Sequence, residues 1–160
     1  MAFFRLAPME NDLDTNILDH LKRLHTSEID ARNGYEEALD DAEGKGLTPL
    51  FRDMIALHHN NIEELAGELS RQGERPDGSG SFLSTVHRTI INLRSLFNGL
   101  DDSVLPGLID GEKRNVEKYD EALAAASASP IAAALAAQRD NIQQKIALME
   151  TRKAAVETAS

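Results

Sequence analysis

The 160-residue sequence contains no cysteine and no tryptophan, and only two tyrosines and five phenylalanines. Without a thiol the chain can form no disulfide, thiolate metal site, iron–sulfur cluster or cysteine nucleophile, so any metal must be held through oxygen or imidazole. No apolar run approaches the roughly 20 residues that a membrane span requires. The opening Met1-Ala2-Phe3-Phe4-Arg5-Leu6-Ala7-Pro8 is apolar, but Arg5 interrupts it and it is too short for the hydrophobic region of a signal peptide. Residues 1–11 are therefore expected to form an N-terminal arm, with Met9 a candidate start, and the protein is expected in the cytoplasm.

Positive charge is scarce as well: 17 Lys and Arg stand against 27 Asp and Glu, a net charge of −10. Binding to nucleic acid or to an anionic membrane rests on clustered cations, and neither is expected here. The imbalance is concentrated in residues 1–80, with 17 acidic against 8 basic side chains, whereas residues 81–160 carry 10 against 9. The acidic run Glu36, Glu37, Asp40, Asp41 and Glu43 reads as a solvated helix end. Glycine-rich phosphate loops, a nucleophile elbow and a Ser/His/Asp arrangement in recognisable context are also missing, so no enzymatic activity is expected.

What the sequence does contain is helical periodicity. Leu13, Ile17, Leu21, Leu24, Ala31, Tyr35, Leu39 and Ala42 step by threes and fours, predicting helix A over about 12–43. Gly44-Lys45-Gly46 ends it, and Thr48-Pro49, read as cap and first-turn proline, opens helix B, which runs to about 72. Gly73 to Gly80 is a loop, a short helix is expected over 82–97, and Asp101 and Asp102 cap helix C over about 103–126. Ser129-Pro130 then repeats the Thr-Pro signal for helix D, about 130–157.

Helices A and C repeat one another. Glu28, Tyr35, Glu37, Ala38, Leu39 and Ala42 recur as Glu112, Tyr119, Glu121, Ala122, Leu123 and Ala126, always 84 residues on. Two similar hairpins joined by a long connection form one all-α domain over 12–158, a ferritin-like four-helix bundle with a short extra helix in the crossover.

Glu28 and Glu112 each interrupt the apolar stripe of their helix near its middle. A buried carboxylate must be partnered, protonated or metal-bound. Glu28 has a local partner in Arg32 one turn away, whereas none is expected for Glu112, whose neighbours at that spacing are Leu108, Ile109, Asn115 and Val116. One reading is a polar layer of hydrogen bonds that fixes helix register. The other is a metal site. Di-iron bundles add to two such glutamates an ExxH pair from each remaining helix. Aligning the Ser/Thr-Pro starts gives instead Leu57 and Asn60 beside Gln138 and Asn141, and a one-residue slide of helix B brings in His58 and Asn61. Two carboxylates cannot offset four metal charges. The metal alternative is thus a single divalent ion held by Glu28, Glu112 and His58, with His59 or His25 as other nitrogen donors. No other cofactor is expected. His25, His20 and His87 are expected at the surface, and Tyr35 and Tyr119 in the core with hydrogen-bonded hydroxyls.

The succession Glu28…Tyr35-x2-Ala38, Leu50-Phe51-Arg52, Glu64-Leu65, the Gly-Ser-Gly-Ser loop, His87-Arg88, Gly111-Glu112 and Tyr119-x-Glu121-Ala122-Leu123 resembles an uncharacterised bacterial ferritin-like four-helix-bundle family, classed as a domain of unknown function, over about 12–150. The resemblance implies the fold and no activity. It also implies a glutamate near the position that Leu57 occupies here. The expectation is a non-enzymatic bundle, homodimeric, with its protein partners unspecified.

Overall fold

The computed structural model describes residues 13–42, 46–80 and 101–159, and the threes-and-fours spacing appears there as four α-helices. Helix α1 (Thr15–Ala38) begins where the Asp14 carboxylate accepts the Ile17 backbone N–H at 2.8 Å, satisfying a donor that no helical carbonyl can reach. It stops short of the expected end near 43. Glu36, Glu37 and Asp40 gather at the negative end of its dipole with no basic residue in the last turn, and the chain tightens into a 3-10 turn, Asp40–Ala42.

Helix α2 (Thr48–Arg71) carries Pro49 in its first turn as expected, but Leu47 rather than Thr48 holds the cap position and no side-chain cap bond forms. Its far end is closed by a Schellman motif: Glu74 N–H donates to the Leu69 carbonyl, Gly73 N–H to that of Ser70, and Gly73 takes a φ of +81°. A 3-10 turn, Asp102–Val104, opened by Asp101 accepting the Ser103 N–H, leads into α3 (Leu105–Ala125). Ser129 starts the turn that leads into α4 (Ala132–Ala159), its carbonyl accepting the Ala132 N–H. The expected arm at 1–11 and the short helix at 82–97 lie outside the described residues.

Side-chain ties give the helix directions. Leu13 N–H bonds to Gln72 Oε1 at 3.0 Å, so the start of α1 meets the end of α2. Lys113–Glu150 and Asp120–Arg139 pairs set α3 antiparallel to α4, and Asp53–Lys145 with Glu64–Gln138 does the same for α2 and α4. Helices α1 and α3 are antiparallel too, through the bonds described below. It follows that α2 and α3 run in the same direction, and that Arg71 and Asp101 lie at opposite ends of the helices. The packing is compatible with a four-helix bundle: α1 lies mainly on α2, α3 mainly on α4, and α1 meets α3 across the centre.

Leu21, Leu24, Phe51, Met54, Leu65, Leu69, Leu108, Leu135, Ile142 and Met149 fill one core cluster contributed by all four helices. Each such side chain contributes about 1.5–3 kcal/mol by leaving water. At one end Arg152 of α4 bonds both Asp102 Oδ1 (2.7 Å) and the Gly46 carbonyl (2.8 Å), tying the α1–α2 turn to the entrance of α3. Among the described residues no helix is long and apolar enough to cross a membrane.

The cap at Gly73 gives a clean expectation. A Cβ there would touch nothing within 4 Å, so only the left-handed backbone resists it. Gly73→Ala should lower the urea-derived unfolding free energy by about 1–2 kcal/mol. Gly78→Ala, equally uncrowded and without a positive φ, should be neutral within about 0.5 kcal/mol. Equal losses at both positions would contradict the assignment.

Candidate functional site

Glu28 lies midway along α1, Glu112 two turns into α3 and His58 near the middle of α2; the structure brings all three together at the centre of the bundle, none more than 1% exposed. His58 lies between the two carboxylates. Its Nδ1 is 2.6 Å from Glu28 Oε2 and its Nε2 is 2.9 Å from Glu112 Oε1. A neutral imidazole has one N–H, so only the protonated ring donates to both oxygens.

The two tyrosines follow the 84-residue offset, and two asparagines complete the layer outside it. Tyr35 of α1 donates its hydroxyl to Glu112 Oε1 at 3.0 Å, and Tyr119 of α3 donates to Glu28 Oε1 at the same distance. Asn61 Nδ2 donates to Glu28 Oε2 and Asn115 Nδ2 to Glu112 Oε2, each at 3.2 Å. Each carboxylate thus accepts from one phenol, one ring N–H and one amide. Tyr35 also stacks on the His58 ring, 5.9 Å between centroids and 16° between planes, which favours the cation. Its other contact, edge-on to Phe51 at 5.3 Å, holds the phenol in place.

Electrostatics agree with this proton placement. Burial alone would push the His58 pKa down, but the Glu112 and Glu28 carboxylates and their hydrogen bonds raise it from 6.5 to about 10. Burial pushes Glu112 the other way, yet His58, Asn115 and Tyr35 together hold it below the ordinary carboxylate value. Both phenols, buried and facing carboxylates, are pushed well above 10.0 and stay neutral donors. Two carboxylates and one imidazolium leave the layer with one net negative charge. Every carboxylate oxygen accepts at least one hydrogen bond, and the cluster is buried away from the surface.

The network continues outward on one side. Tyr119 also lies 3.0 Å from Gln138 Oε1, and Gln138 Nε2 donates to Glu64 Oε2 at 3.2 Å. The phenol has one proton for these two acceptors, so Glu28 and Gln138 compete for it, and through that shared hydroxyl α4 reaches the layer.

Several sequence expectations are corrected. The alignment of Ser/Thr-Pro starts puts Leu57 and Asn60 inward, whereas Asn60 is exposed, Leu57 half-buried, and the one-residue slide to His58 and Asn61 describes α2. Arg32 does not partner Glu28: its guanidinium turns to Asn33 and Glu36. Glu112, expected without a local partner, does have one: the Asn115 amide one turn on donates to it, a neutral group that charge pairing does not register. His25, expected at the surface, is only 4% exposed and burial lowers its pKa. His59 is exposed and faces Glu63, away from the layer. His87 lies outside the described residues. Tyr35 and Tyr119 fulfil the expectation of buried, hydrogen-bonded phenols, but their acceptors, the glutamates of the opposite hairpin, are signalled in the sequence only by the shared offset.

The oxygen and imidazole donors are of a type that suits a divalent ion. Both ring nitrogens, however, point at carboxylate oxygens. Among the described residues no group of three or more His, Cys, Asp or Glu is arranged to hold a metal.

One protein family matches residues 16–125, described as Domain of unknown function (DUF2383). No curated protein matches the chain significantly.

His58 generates a pH expectation. Its folded pKa, about 10, lies above the unfolded 6.5, so its stabilisation is complete below 6.5 and is lost as pH rises toward 10. The stability advantage of the parent over His58→Gln, from urea unfolding at each pH, should shrink between pH 7 and 10. A difference independent of pH would show that the ring is neutral.

Proposed function

This chain belongs to the family Domain of unknown function (DUF2383), and we propose that it is a non-enzymatic, ferritin-like helical-bundle protein that acts through its surface or as an oligomer. In this reading the Glu28–His58–Glu112 layer sets the register of the helices and does no chemistry. The observation that carries it is the complete internal pairing of the layer: six donors meet two carboxylates, and the cation is supplied by the protein itself. Buried polar layers of this kind favour one alignment over slipped ones, because a shift leaves charges unpaired at a cost of several kcal/mol.

The ferritin-like assignment is supported by the common direction of α2 and α3, which requires a long crossover between hairpins. Descent from a duplicated hairpin is supported by the reciprocal Tyr35–Glu112 and Tyr119–Glu28 bonds. Cytoplasmic location and the absence of a nucleic-acid partner rest on composition and on the net charge of −10. Homodimerisation is the simplest form of the oligomeric reading.

A second reading, a mononuclear divalent-metal site at Glu28, Glu112 and His58, is favoured by the convergence of these three side chains and by the net negative charge of the layer. The two differ in what the cation is. With an internal cation, added zinc, manganese or iron leaves the melting temperature of the parent unchanged. His58→Ala removes that cation and opens space between the carboxylates. It should then gain a metal-dependent rise, about 2.7 kcal/mol at a hundredfold excess over Kd, which Glu112→Gln abolishes. A metal-dependent rise already present in the parent, and lost in Glu112→Gln, would replace the first reading with the second.

A further inference from the structure

Acids outnumber bases in this chain, and most of the cations among the described residues sit beside a carboxylate. Lys22, Lys113, Arg139, Lys145 and Arg152 all lie within 4.0 Å of one. Among the described residues without such a pair, Arg52, Arg75 and Arg114 are exposed, whereas Arg23 and Lys118 line one cavity. Arg23 on α1 and Lys118 on α3 line a cavity of about 430 Å³ between the two helices, with His20, Ser27 and Glu121. Arg114 lies one turn before Lys118 on α3, near enough to disfavour its charge.

Lys118 is the telling member. Its ammonium is half-buried, and its partner is a neutral one, Ser27 Oγ at 2.8 Å. Burial lowers its pKa even though Asp30, Glu28 and Glu121 pull the other way. An ammonium taken out of water and given one hydroxyl is under-compensated. Across the cavity, Arg23 bonds through Nε to the backbone carbonyl of Asp19, which leaves the rest of its guanidinium fork for another acceptor.

We propose that this cavity is a binding site for the oxyanion of a small molecule, a phosphate or a carboxylate, held between Lys118 and Arg23. The volume falls within the roughly 300–1,000 Å³ of small-molecule sites. An oxyanion supplies what both cations lack, and Arg23 suits its planar or tetrahedral oxygens. The His20 ring adds a donor on the same wall. Glu121 is the one acidic side chain of the lining, and it disfavours a second anionic group on the ligand near α3. The site is separate from the buried layer and does not depend on how that layer is read.

The probes are inorganic phosphate and acetate, titrated into the full chain at constant ionic strength against chloride and followed by amide chemical shifts. At least one should saturate, moving the amides of residues 20–27 and 118–121. Arg23→Gln and Lys118→Gln should each weaken that binding about tenfold or more, the weight of a charge-assisted hydrogen bond. Lys153→Gln, at the far end of α4, should not. Arg23 is exposed and Lys118 half-buried, and Lys118→Gln keeps an N–H donor for Ser27, so the fold is retained; unchanged circular dichroism checks this. Saturation by phosphate alone identifies a phosphorylated ligand and by acetate alone a carboxylic acid. Shifts that rise linearly for both anions, or that are the same in all three variants, would overturn the proposal.

Discussion

Two carboxylates at the centre of an apolar bundle stay ionised only if a cation is buried with them, and His58 meets that requirement from within the fold. Placing one imidazolium between Glu28 and Glu112 turns two costly buried charges into two charge-assisted hydrogen bonds. The other donors complete what the ring begins. Tyr35 and Tyr119 reach across to the glutamate of the opposite hairpin, so the pairing of α1 with α3 depends on the same layer as the position of α2. Removing the imidazolium would leave phenol and amide donors facing carboxylates that no longer have reason to remain charged.

The glutamates and tyrosines of the layer are matched between α1 and α3, whereas Asn115 of α3 has only Ala31 at the same offset, and α2 and α4 differ outright. Helix α2 supplies the cation and Asn61, while α4 contributes Gln138 through Tyr119 and nothing to the carboxylates directly. That asymmetry has a structural consequence. An alternative packing that exchanged the roles of α2 and α4 would bring Gln138 where a cation is needed, leaving two carboxylates without a counter-charge. A sequence with two similar hairpins has such alternatives available, and a single histidine is enough to disfavour them.

Much of this is legible in the sequence. The apolar stripes predict the helices, and the glutamates stand out because they break those stripes; Tyr35 and Tyr119 stand out through the shared offset. The register of α2 is not legible from its proline. Thr48 is the first helical residue and Leu47 the cap, whereas Ser129 precedes α4 by a turn, so equating the two Ser/Thr-Pro pairs misplaces the inward face. Asn61 and Asn115 escape notice as partners because amides carry no charge for a spacing rule to match. The burial of His25 escapes it because its helix is covered on more than its core-facing stripe, with Ser27, Ile29 and Asp30 buried as well. Helical periodicity registers one covered face, and tertiary contacts on a second face leave little trace in it.

The charge state of the His58 ring is the point on which the account turns, and nitrogen-15 NMR of the imidazole observes it directly. The two-carboxylate cradle predicts that at pH 8, well above the free-histidine value of 6.5, both ring nitrogens carry protons, and that the ring loses one of them only near pH 10. A ring with one protonated and one bare nitrogen at pH 8 would contradict it, and would mean that one of the two glutamates holds the proton instead.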